Sequence, residues 1–156
     1  MQTNTNTITI TPAPVDEVLA TGLIEQLDAD LLTRYPGEPI NGIVPTEFRA
    51  AGGYFVLAHC GARAVGCGAI RPYDATTCEI KRMFVLPEFR GRGIARRIIE
   101  ALEAEARRRG FTRGILETAV RQPEAIACYR ACGYEQIPPY EPFIGSARSV
   151  CFGKMF

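Results

Sequence analysis

Residues 85–95 read Val85-Leu-Pro-Glu-Phe-Arg-Gly-Arg-Gly-Ile-Ala95, which places a glycine-rich turn between an apolar strand and a long amphipathic helix. At such a junction the first N–H groups of the helix have no backbone partners and lie at the positive end of the helix dipole. Gly91 and Gly93 allow a ligand to approach the backbone closely, and the neighbouring arginines add positive charge. The pattern predicts a phosphate-binding site at the start of this helix.

The turn differs from two better-known nucleotide motifs. The Gly-x-x-x-x-Gly-Lys-Ser/Thr spacing of the P-loop is missing, and so is the dinucleotide fingerprint Gly-x-Gly-x-x-Gly. Two other interpretations of the turn remain open at this point, since it could bind another phosphate or form only a tight connection.

Periodicity and turn residues predict an alternating order of strands and helices along the chain. The predicted elements are a strand at Thr7–Thr11, a helix at Asp16–Arg34 that Gly22 weakens or splits, a loop at Tyr35–Pro45, a short helix at Thr46–Ala51, strands at Tyr54–Cys60, Arg63–Arg71 and Glu79–Leu86, a helix at 92–109, a strand at Gly114–Thr118, a helix from Pro123 to Gly133, and strands at Tyr134–Ile137 and Val150–Phe156. Without an internal repeat or a linker, this order predicts one α/β domain over residues 1–156.

Composition restricts the class of protein. The chain has 156 residues, 47% of them hydrophobic, and its 18 basic and 17 acidic residues leave a net charge of +1. This balance provides no overall field for nucleic acid or an anionic membrane. The segment Met1–Ile10 lacks a basic start and an apolar run, and no stretch approaches the length of a membrane span. We therefore expect a soluble, cytoplasmic protein.

The cysteines and the single histidine do not suggest a metal site. The six cysteines form no Cys-x-x-Cys pair, and Cys128 and Cys132 alone cannot complete a zinc site. His59 is predicted to lie in a strand near a turn at Gly61. We interpret the cysteines as small apolar side chains and expect no metal.

Two motifs resemble those of the GCN5-related N-acetyltransferase (GNAT) family. Arg90-x-x-Gly93-x-Ala95 fits the family signature Arg/Gln-x-x-Gly-x-Gly/Ala, and Glu79-Ile-Lys-Arg-Met-Phe-Val85 resembles the family's fourth strand. Gln122-Pro-Glu-Ala-Ile-Ala-Cys-Tyr-Arg-Ala-Cys-Gly-Tyr134 is similar to the second recurrent segment. The alternative interpretation of this second segment is an apolar helix face that only packs in the core. Its position after the first motif, and the number of residues between the two motifs, favour the family.

The resemblance implies a fold and a donor. The fold is a single mixed, mostly antiparallel twisted sheet flanked by helices on both faces, and the donor is acetyl-CoA. In the family, the amides of the glycine-rich turn hold the pyrophosphate and a splayed strand edge pairs with the pantetheine arm. The residues that the resemblance assigns to coenzyme A binding are Phe84, Val85, Arg90, Gly91, Arg92, Gly93, Ile94, Ala95, Arg96, Gln122 and Ala125.

Acetyl transfer to an amine requires a proton acceptor, because an amine with a pKa of about 10.4 is protonated at neutral pH. A carboxylate can accept that proton directly or through water. Glu79 lies eleven residues before Arg90, the separation at which the histone-modifying branch of the family has its catalytic glutamate. The alternative for Glu79 is an ion pair with Lys81 or Arg82 at the sheet surface.

The remaining chemical roles also follow from the resemblance. Tyr129 would place its hydroxyl near the coenzyme A sulfur and protonate the leaving thiolate. The backbone N–H near Val85 would stabilise the oxyanion. The acceptor pocket would be walled by residues 35–44 and 140–146, where Tyr35 and Tyr140 are candidate acceptor contacts or simply pack under their loops.

Three hypotheses about activity remain at this point. The leading one is N-acetylation of a small-molecule amine or an amino acid. The others are N-acetylation of a protein, at a lysine or a chain terminus, and a non-catalytic acyl-CoA-binding module. Dimers are common in the family, so a homodimer is an open alternative, and nothing in the sequence identifies the acceptor.

Overall fold

The protein is described by a computed structural model over residues 6–40 and 42–156. Its elements are β1 (Ile8–Pro12), α1 (Val18–Arg34), α2 (Pro45–Ala50), β2 (Tyr54–Cys60), β3 (Arg63–Pro72), β4 (Thr77–Val85), a 3-10 turn (Pro87–Phe89), α3 (Ile94–Arg108), β5 (Arg113–Ala119), α4 (Pro123–Ala131), β6 (Glu135–Ile137) and β7 (Ser149–Met155). Residues 1–5, which belong to the N-terminal segment considered above as a signal peptide, lie outside the described residues. Asn41 of the predicted loop also lies outside them.

The strands form one seven-stranded sheet in the order β1-β2-β3-β4-β5-β7-β6. The β4–β5 pair is parallel and all other neighbouring pairs are antiparallel. This arrangement confirms the mixed, mostly antiparallel sheet flanked by helices that the sequence predicts. In the described part of the chain, none of the helices combines the length and apolar character needed to cross a membrane.

Helix α3 packs on the centre of the sheet through one apolar stripe. Ile98, Ile99 and Leu102 of this stripe are fully buried. A Cβ atom added to Gly68 of β3 would lie 2.6 Å from Ile98 Cγ2, so the glycine permits the close approach of the helix. Helix α1 also packs on β3 and β4, with Leu27 among its buried residues.

Most predicted boundaries differ from the observed ones by one or two residues. Helix α3 begins at Ile94, two residues later than predicted, because Gly93 has a left-handed backbone conformation. Strand β4 begins at Thr77, because the carboxylate of Asp74 accepts hydrogen bonds from the N–H groups of Thr76 and Thr77 and closes the preceding turn. Gly22 does not interrupt α1.

Strands β4 and β5 separate part-way along their length. Their parallel pairing runs from Thr77 and Arg113 to Ile80 and Leu116, although β4 continues to Val85. Beyond this point the β3–β4 register shifts, and Arg82 has a positive φ of 56°. A left-handed conformation is strained for a residue with a side chain. The irregularity therefore marks the place where the sheet opens.

Candidate active site

The start of α3 has the geometry of an anion site. Gly91 and Gly93 have φ angles of 77° and 75°, which favour glycine, and Gly93 is the residue preceding the helix. A Cβ atom added at either glycine would meet no atom within 4 Å. The backbone is therefore open to a ligand where the unpaired N–H groups of the first helical turn gather.

Arg90 occupies the edge of β4 that the departure of β5 leaves open. The Leu86 N–H donates to the Val65 carbonyl at 2.8 Å, so the Val85 carbonyl of the same peptide points to the opposite side. There Arg90 Nε donates to the Val85 oxygen at 2.9 Å. The Arg90 guanidinium also lies 5.6 Å from the centre of the Phe84 ring. One acceptor of the open edge is thus already occupied by a side chain.

The other two arginines of the turn are more exposed. Arg92 donates to the Glu88 carbonyl at 3.3 Å, and Arg96 forms an ion pair of 3.2 Å with Glu100 one helical turn further on. Both guanidinium groups remain largely in solvent. Each guanidinium can therefore exchange its present partner for a phosphate with little loss of free energy, because exposed ion pairs contribute little to stability.

The predicted donor-binding residues come together in one groove. Every one of them except Arg92 lines a groove between the start of α3, the end of β4 and α4. Gln122 precedes α4 and accepts a hydrogen bond from the Thr118 hydroxyl at 3.3 Å. The fold therefore brings two segments that are distant in sequence to the same surface.

A second cavity lies beside this groove. It is bounded by α1, the loop after α1, β4, β5 and the segment that leads into β7. Glu79, Lys81 and Glu117 line it from the two strands, and Arg148 and Glu38 line it from the loops. The cavity therefore contains both acidic and basic side chains, which the sequence alone does not indicate.

Glu79 is held by two hydrogen bonds and one longer ion pair. Its side chain is 2% exposed, its Oε1 accepts a hydrogen bond from Arg71 Nε at 3.0 Å, and Lys81 Nζ lies 3.9 Å from the same oxygen. Its Oε2 accepts a hydrogen bond from the Tyr140 hydroxyl at 2.8 Å. The alternative expected from the sequence was an ion pair with Lys81 or Arg82 at the surface. The ion pair with Lys81 is present, but Arg71 is the closer cation and the carboxylate is buried.

Arg82 has a different partner and an unusual environment. Its guanidinium is buried and forms an ion pair with Asp28 of α1. Its Nε is buried without a hydrogen-bond partner in the described part of the chain. The strained backbone at this residue and its ion pair fix α1 against the irregular part of β4.

Glu117 and Lys81 are site residues that sequence reasoning missed. Glu117 Oε1 accepts a hydrogen bond from the Ser149 hydroxyl at 2.9 Å, and burial raises the pKa of this carboxyl above its usual value. Burial lowers the pKa of Lys81, which is 9% exposed. The available signal was a charged residue inside the apolar strand Gly114-Ile-Leu-Glu-Thr-Ala119.

Tyr129 forms a wall shared by the groove and the cavity. It is buried on α4, and it lines both spaces together with Met83, Gln122 and Ala125. Burial raises the pKa of its hydroxyl, so the phenol is protonated at neutral pH. No hydrogen bond within residues 6–40 and 42–156 involves this hydroxyl.

The two predicted acceptor contacts lie in different environments. Tyr35 is buried, and its ring lines the cavity while its hydroxyl accepts a hydrogen bond from the Arg121 N–H at 3.0 Å. Tyr140 is half-buried and directed at Glu79. Its neighbour Phe143, rather than Tyr140 itself, contributes to the cavity lining.

The cysteines contribute little polar chemistry. Cys67, Cys78 and Cys151 are buried, as predicted, whereas Cys128 and Cys132 on α4 are half-buried. Burial raises the pKa of Cys67 to about 12, so its thiol is inert at neutral pH. In the part of the chain that is described, His, Cys, Asp and Glu side chains form no group of three or more that could hold a metal ion.

Comparison with known proteins identifies relatives over most of the chain. The profile of the acetyltransferase (GNAT) family matches residues 22–134. The IAA acetyltransferase of Azospirillum brasilense is 40% identical over 123 residues, which cover 78% of this chain and 80% of that protein. The family match includes both motifs of the groove.

Solved structures show the same fold. A candidate acyl-CoA N-acyltransferase from Klebsiella pneumoniae superposes with a TM-score of 0.81 at 30% identity, over 95% of this chain and 97% of that one. A GNAT-family acetyltransferase from Elizabethkingia anophelis with bound acetyl-CoA has a TM-score of 0.71 at 17% identity, over 99% and 100% of the two chains. At that lower identity the likeness concerns the fold.

Proposed function

This chain belongs to the acetyltransferase (GNAT) family, and we propose from that premise that it transfers an acetyl group from acetyl-CoA to a primary amine of a small molecule or an amino acid. The observation that carries the proposal is the shared wall between groove and cavity. Tyr129, Gln122 and Ala125 face both spaces. A donor in the groove and an acceptor in the cavity would therefore meet at Tyr129.

The residues of the groove fit the donor. The open backbone at Gly91 and Gly93 and the N-terminus of α3 suit a pyrophosphate. Arg92 and Arg96 are exposed cations beside this backbone. When bound, the donor supplies the activated acetyl group as a thioester. The apolar part of the groove, formed by Phe84, Val85 and the Ala125 side of α4, excludes water from the reacting end.

The residues around the shared wall divide the proton transfers between them. Tyr129 is protonated and buried, so it can donate a proton to the departing sulfur. A carboxylate of the cavity takes the proton that the amine loses, and Glu79 is the candidate predicted from the family resemblance. Two hydrogen bonds and an ion pair already engage Glu79, and Glu79→Gln tests its contribution directly.

Contacts between the two outer walls of the cavity favour a small acceptor over a protein chain. Arg148 forms an ion pair with Glu38 and donates to the Pro39 carbonyl at 2.8 Å. These contacts tie the loop after α1 to the segment before β7, which are the two outer walls. The cavity also has charged groups of both signs, which suits an acceptor with more than one polar group.

The test is a thiol-release assay with acetyl-CoA against amines, amino acids, polyamines, aminoglycosides and peptides. We expect release of free coenzyme A that depends on one class of small amine, together with calorimetrically measured binding of acetyl-CoA. Release only with peptides would favour protein acetylation. Tight binding of acetyl-CoA without release across the panel would contradict the enzymatic proposal and favour a binding module.

A further inference from the structure

Glu117 lines the cavity, and one of its carboxylate oxygens accepts no hydrogen bond from the described residues. It lies on β5 just beyond the last pair of the β4–β5 ladder, where the strands have separated. Its Oε1 accepts a hydrogen bond from the Ser149 hydroxyl at 2.9 Å. Within the described ranges, no hydrogen bond reaches Oε2. This carboxylate therefore has a fixed orientation and a free lone pair.

Glu79 has the opposite arrangement. Arg71 and Lys81 contact its Oε1, at 3.0 and 3.9 Å, and the Tyr140 hydroxyl donates to its Oε2 at 2.8 Å. A proton that arrives on Glu79 weakens its ion pairs with Arg71 and Lys81 and requires the Tyr140 hydroxyl to change from donor to acceptor. The contacts suit a group that anchors its neighbours better than one that exchanges protons in every turnover.

We propose that Glu117, rather than Glu79, takes the proton from the acceptor amine, an inference that rests on the proposed acetyl transfer. Glu79 then acts as a positioning residue. It holds Tyr140, and the segment that carries Tyr140 also supplies Phe143 and Arg148 to the cavity.

The surroundings of Glu117 suit this task. Titratable, charged and polar groups face it from four directions. They are Lys81 and Glu79 of β4, Ser149 and Cys151 of β7, Arg148 and Tyr140 of the segment before β7, and Tyr129 of α4. Burial has the largest influence and raises the pKa of Glu117. The Ser149 hydroxyl, Lys81 and Arg148 lower it and oppose part of this rise. A carboxyl whose pKa approaches the working pH is a more effective base than an ordinary glutamate.

The protons balance over one turnover. Glu117 first takes one proton from the ammonium form of the acceptor and passes it to solvent. The neutral nitrogen then bonds to the acetyl carbon as the carbon–sulfur bond of the donor breaks, and Glu117 takes the second proton that the nitrogen loses. Tyr129 gives its proton to the departing sulfur. Glu117 then releases its proton to solvent, and Tyr129 regains one from solvent, so the enzyme returns to its starting state.

The experiment compares Glu117→Gln, Glu79→Gln and the unsubstituted protein, with acetyl-CoA as donor and the most active amine of the panel as acceptor. We expect Glu117→Gln to lower kcat/KM about 100-fold at neutral pH, and this deficit to shrink as the pH approaches the pKa of the acceptor amine. Calorimetric binding of acetyl-CoA should stay unchanged. Glu79→Gln should raise the KM for the acceptor and keep the pH profile of the unsubstituted protein.

Two further variants keep the test decisive. Ser149→Ala removes the hydroxyl that stabilises the ionised Glu117, so the pH profile should move to higher pH even if Glu117→Gln fails to fold. Glu135→Gln makes the same chemical change on the exposed strand β6 and should retain full activity.

The opposite pattern would overturn the inference. Turnover that survives Glu117→Gln with an unaltered pH profile, or a profile that Ser149→Ala does not move, would return the proton transfer to Glu79. Absence of turnover by the unsubstituted protein would instead contradict the proposed function, a result distinct from either of these.

Discussion

The Tyr140 hydroxyl donates a hydrogen bond of 2.8 Å to Glu79 Oε2, which joins the long segment between β6 and β7 to the middle of β4. Burial and the adjacent Glu79 carboxylate raise the pKa of Tyr140, so the phenol keeps the proton that it donates. The ring also packs edge-on against Tyr73 and Phe143. Glu79 of β4 thereby holds the segment that contributes Phe143 and Arg148 to the cavity.

Loss of this hydrogen bond should loosen that wall. Tyr140→Phe keeps the ring contacts but removes the donor to a buried carboxylate, a change that destabilises by about 1–3 kcal/mol. We expect the KM for the acceptor to rise about tenfold while acetyl-CoA binding is unchanged, because the groove does not involve this loop. Steady-state kinetics and calorimetry provide the two measurements. A weaker affinity for acetyl-CoA alone would contradict this assignment.

The Tyr129 hydroxyl should matter for turnover and not for stability. Tyr129→Phe removes the proposed acid and should lower kcat about 100-fold, with little effect on folding. Tyr134, whose ring centre lies 6.3 Å away, is a matched control because its hydroxyl is buried without a hydrogen-bond partner in the described residues. Tyr134→Phe should keep kcat and raise the melting temperature. Equal losses of kcat in the two variants would argue against a specific role for Tyr129.

Alanine substitutions at the two glycines that flank α3 can distinguish the effect of backbone strain from an effect on ligand binding. Gly93, at the start, and Gly110, after the end, have φ angles of 75° and 89°, and a Cβ atom added at either position would meet no atom within 4 Å. Substitution by Ala should destabilise either variant by about 1–2 kcal/mol, because both must keep a left-handed backbone. Only Gly93→Ala should also weaken acetyl-CoA binding, as measured by calorimetry. Comparable affinities in both variants would place the donor elsewhere.

Glu117 should reduce stability at neutral pH. Because its folded-state pKa is raised, the folded protein binds more protons than the unfolded chain between the usual glutamate pKa and the raised value, so stability falls as the pH rises through that window. Gln cannot ionise, and Glu117→Gln should therefore be more stable than the unsubstituted protein near neutral pH. Urea unfolding should show this difference disappearing below a pH of about 4.

The same measurement on Glu135→Gln provides the control for stability. This substitution lies on an exposed strand, and surface changes of this kind usually alter stability by less than about 0.5 kcal/mol. A Glu117→Gln protein that is less stable than its parent at neutral pH would show that the ionised carboxylate is well satisfied. In that case burial would not raise the pKa of Glu117 and would not explain its proposed role as the proton acceptor.

Local sequence signals predicted the elements around the glycine-rich turn well. The apolar stripe of α3, the glycines before it and the Pro123 that opens α4 are all short-range features, and each element formed where the pattern indicated. The boundaries moved where a side chain or a backbone conformation intervened. Strand β4 begins earlier than predicted because of the hydrogen bonds to Asp74, and α3 begins later because of the backbone conformation of Gly93.

The contacts around the cavity that Glu79 and Glu117 line could not be predicted in this way, because they join residues that are distant in sequence. Tyr140 and Glu79 are 61 residues apart, and the ion partners Arg82 and Asp28 are separated by 54. Lys81 and Glu117 share a cavity only because β4 and β5 are parallel neighbours that then separate. No periodicity encodes such a pairing, since it depends on strand order in the finished sheet.

The separation of β4 and β5 has a consequence for the lifetime of the protein. Where the strands part, the interior contains a backbone edge that no neighbouring strand covers, and Arg90 occupies only the Val85 carbonyl there. A molecule that completes this edge binds the folded chain and not the unfolded one, and at one hundred times its dissociation constant it contributes about 2.7 kcal/mol of stability. Such a molecule would therefore also protect the chain from proteolysis, because cleavage depends on the population of the opened form.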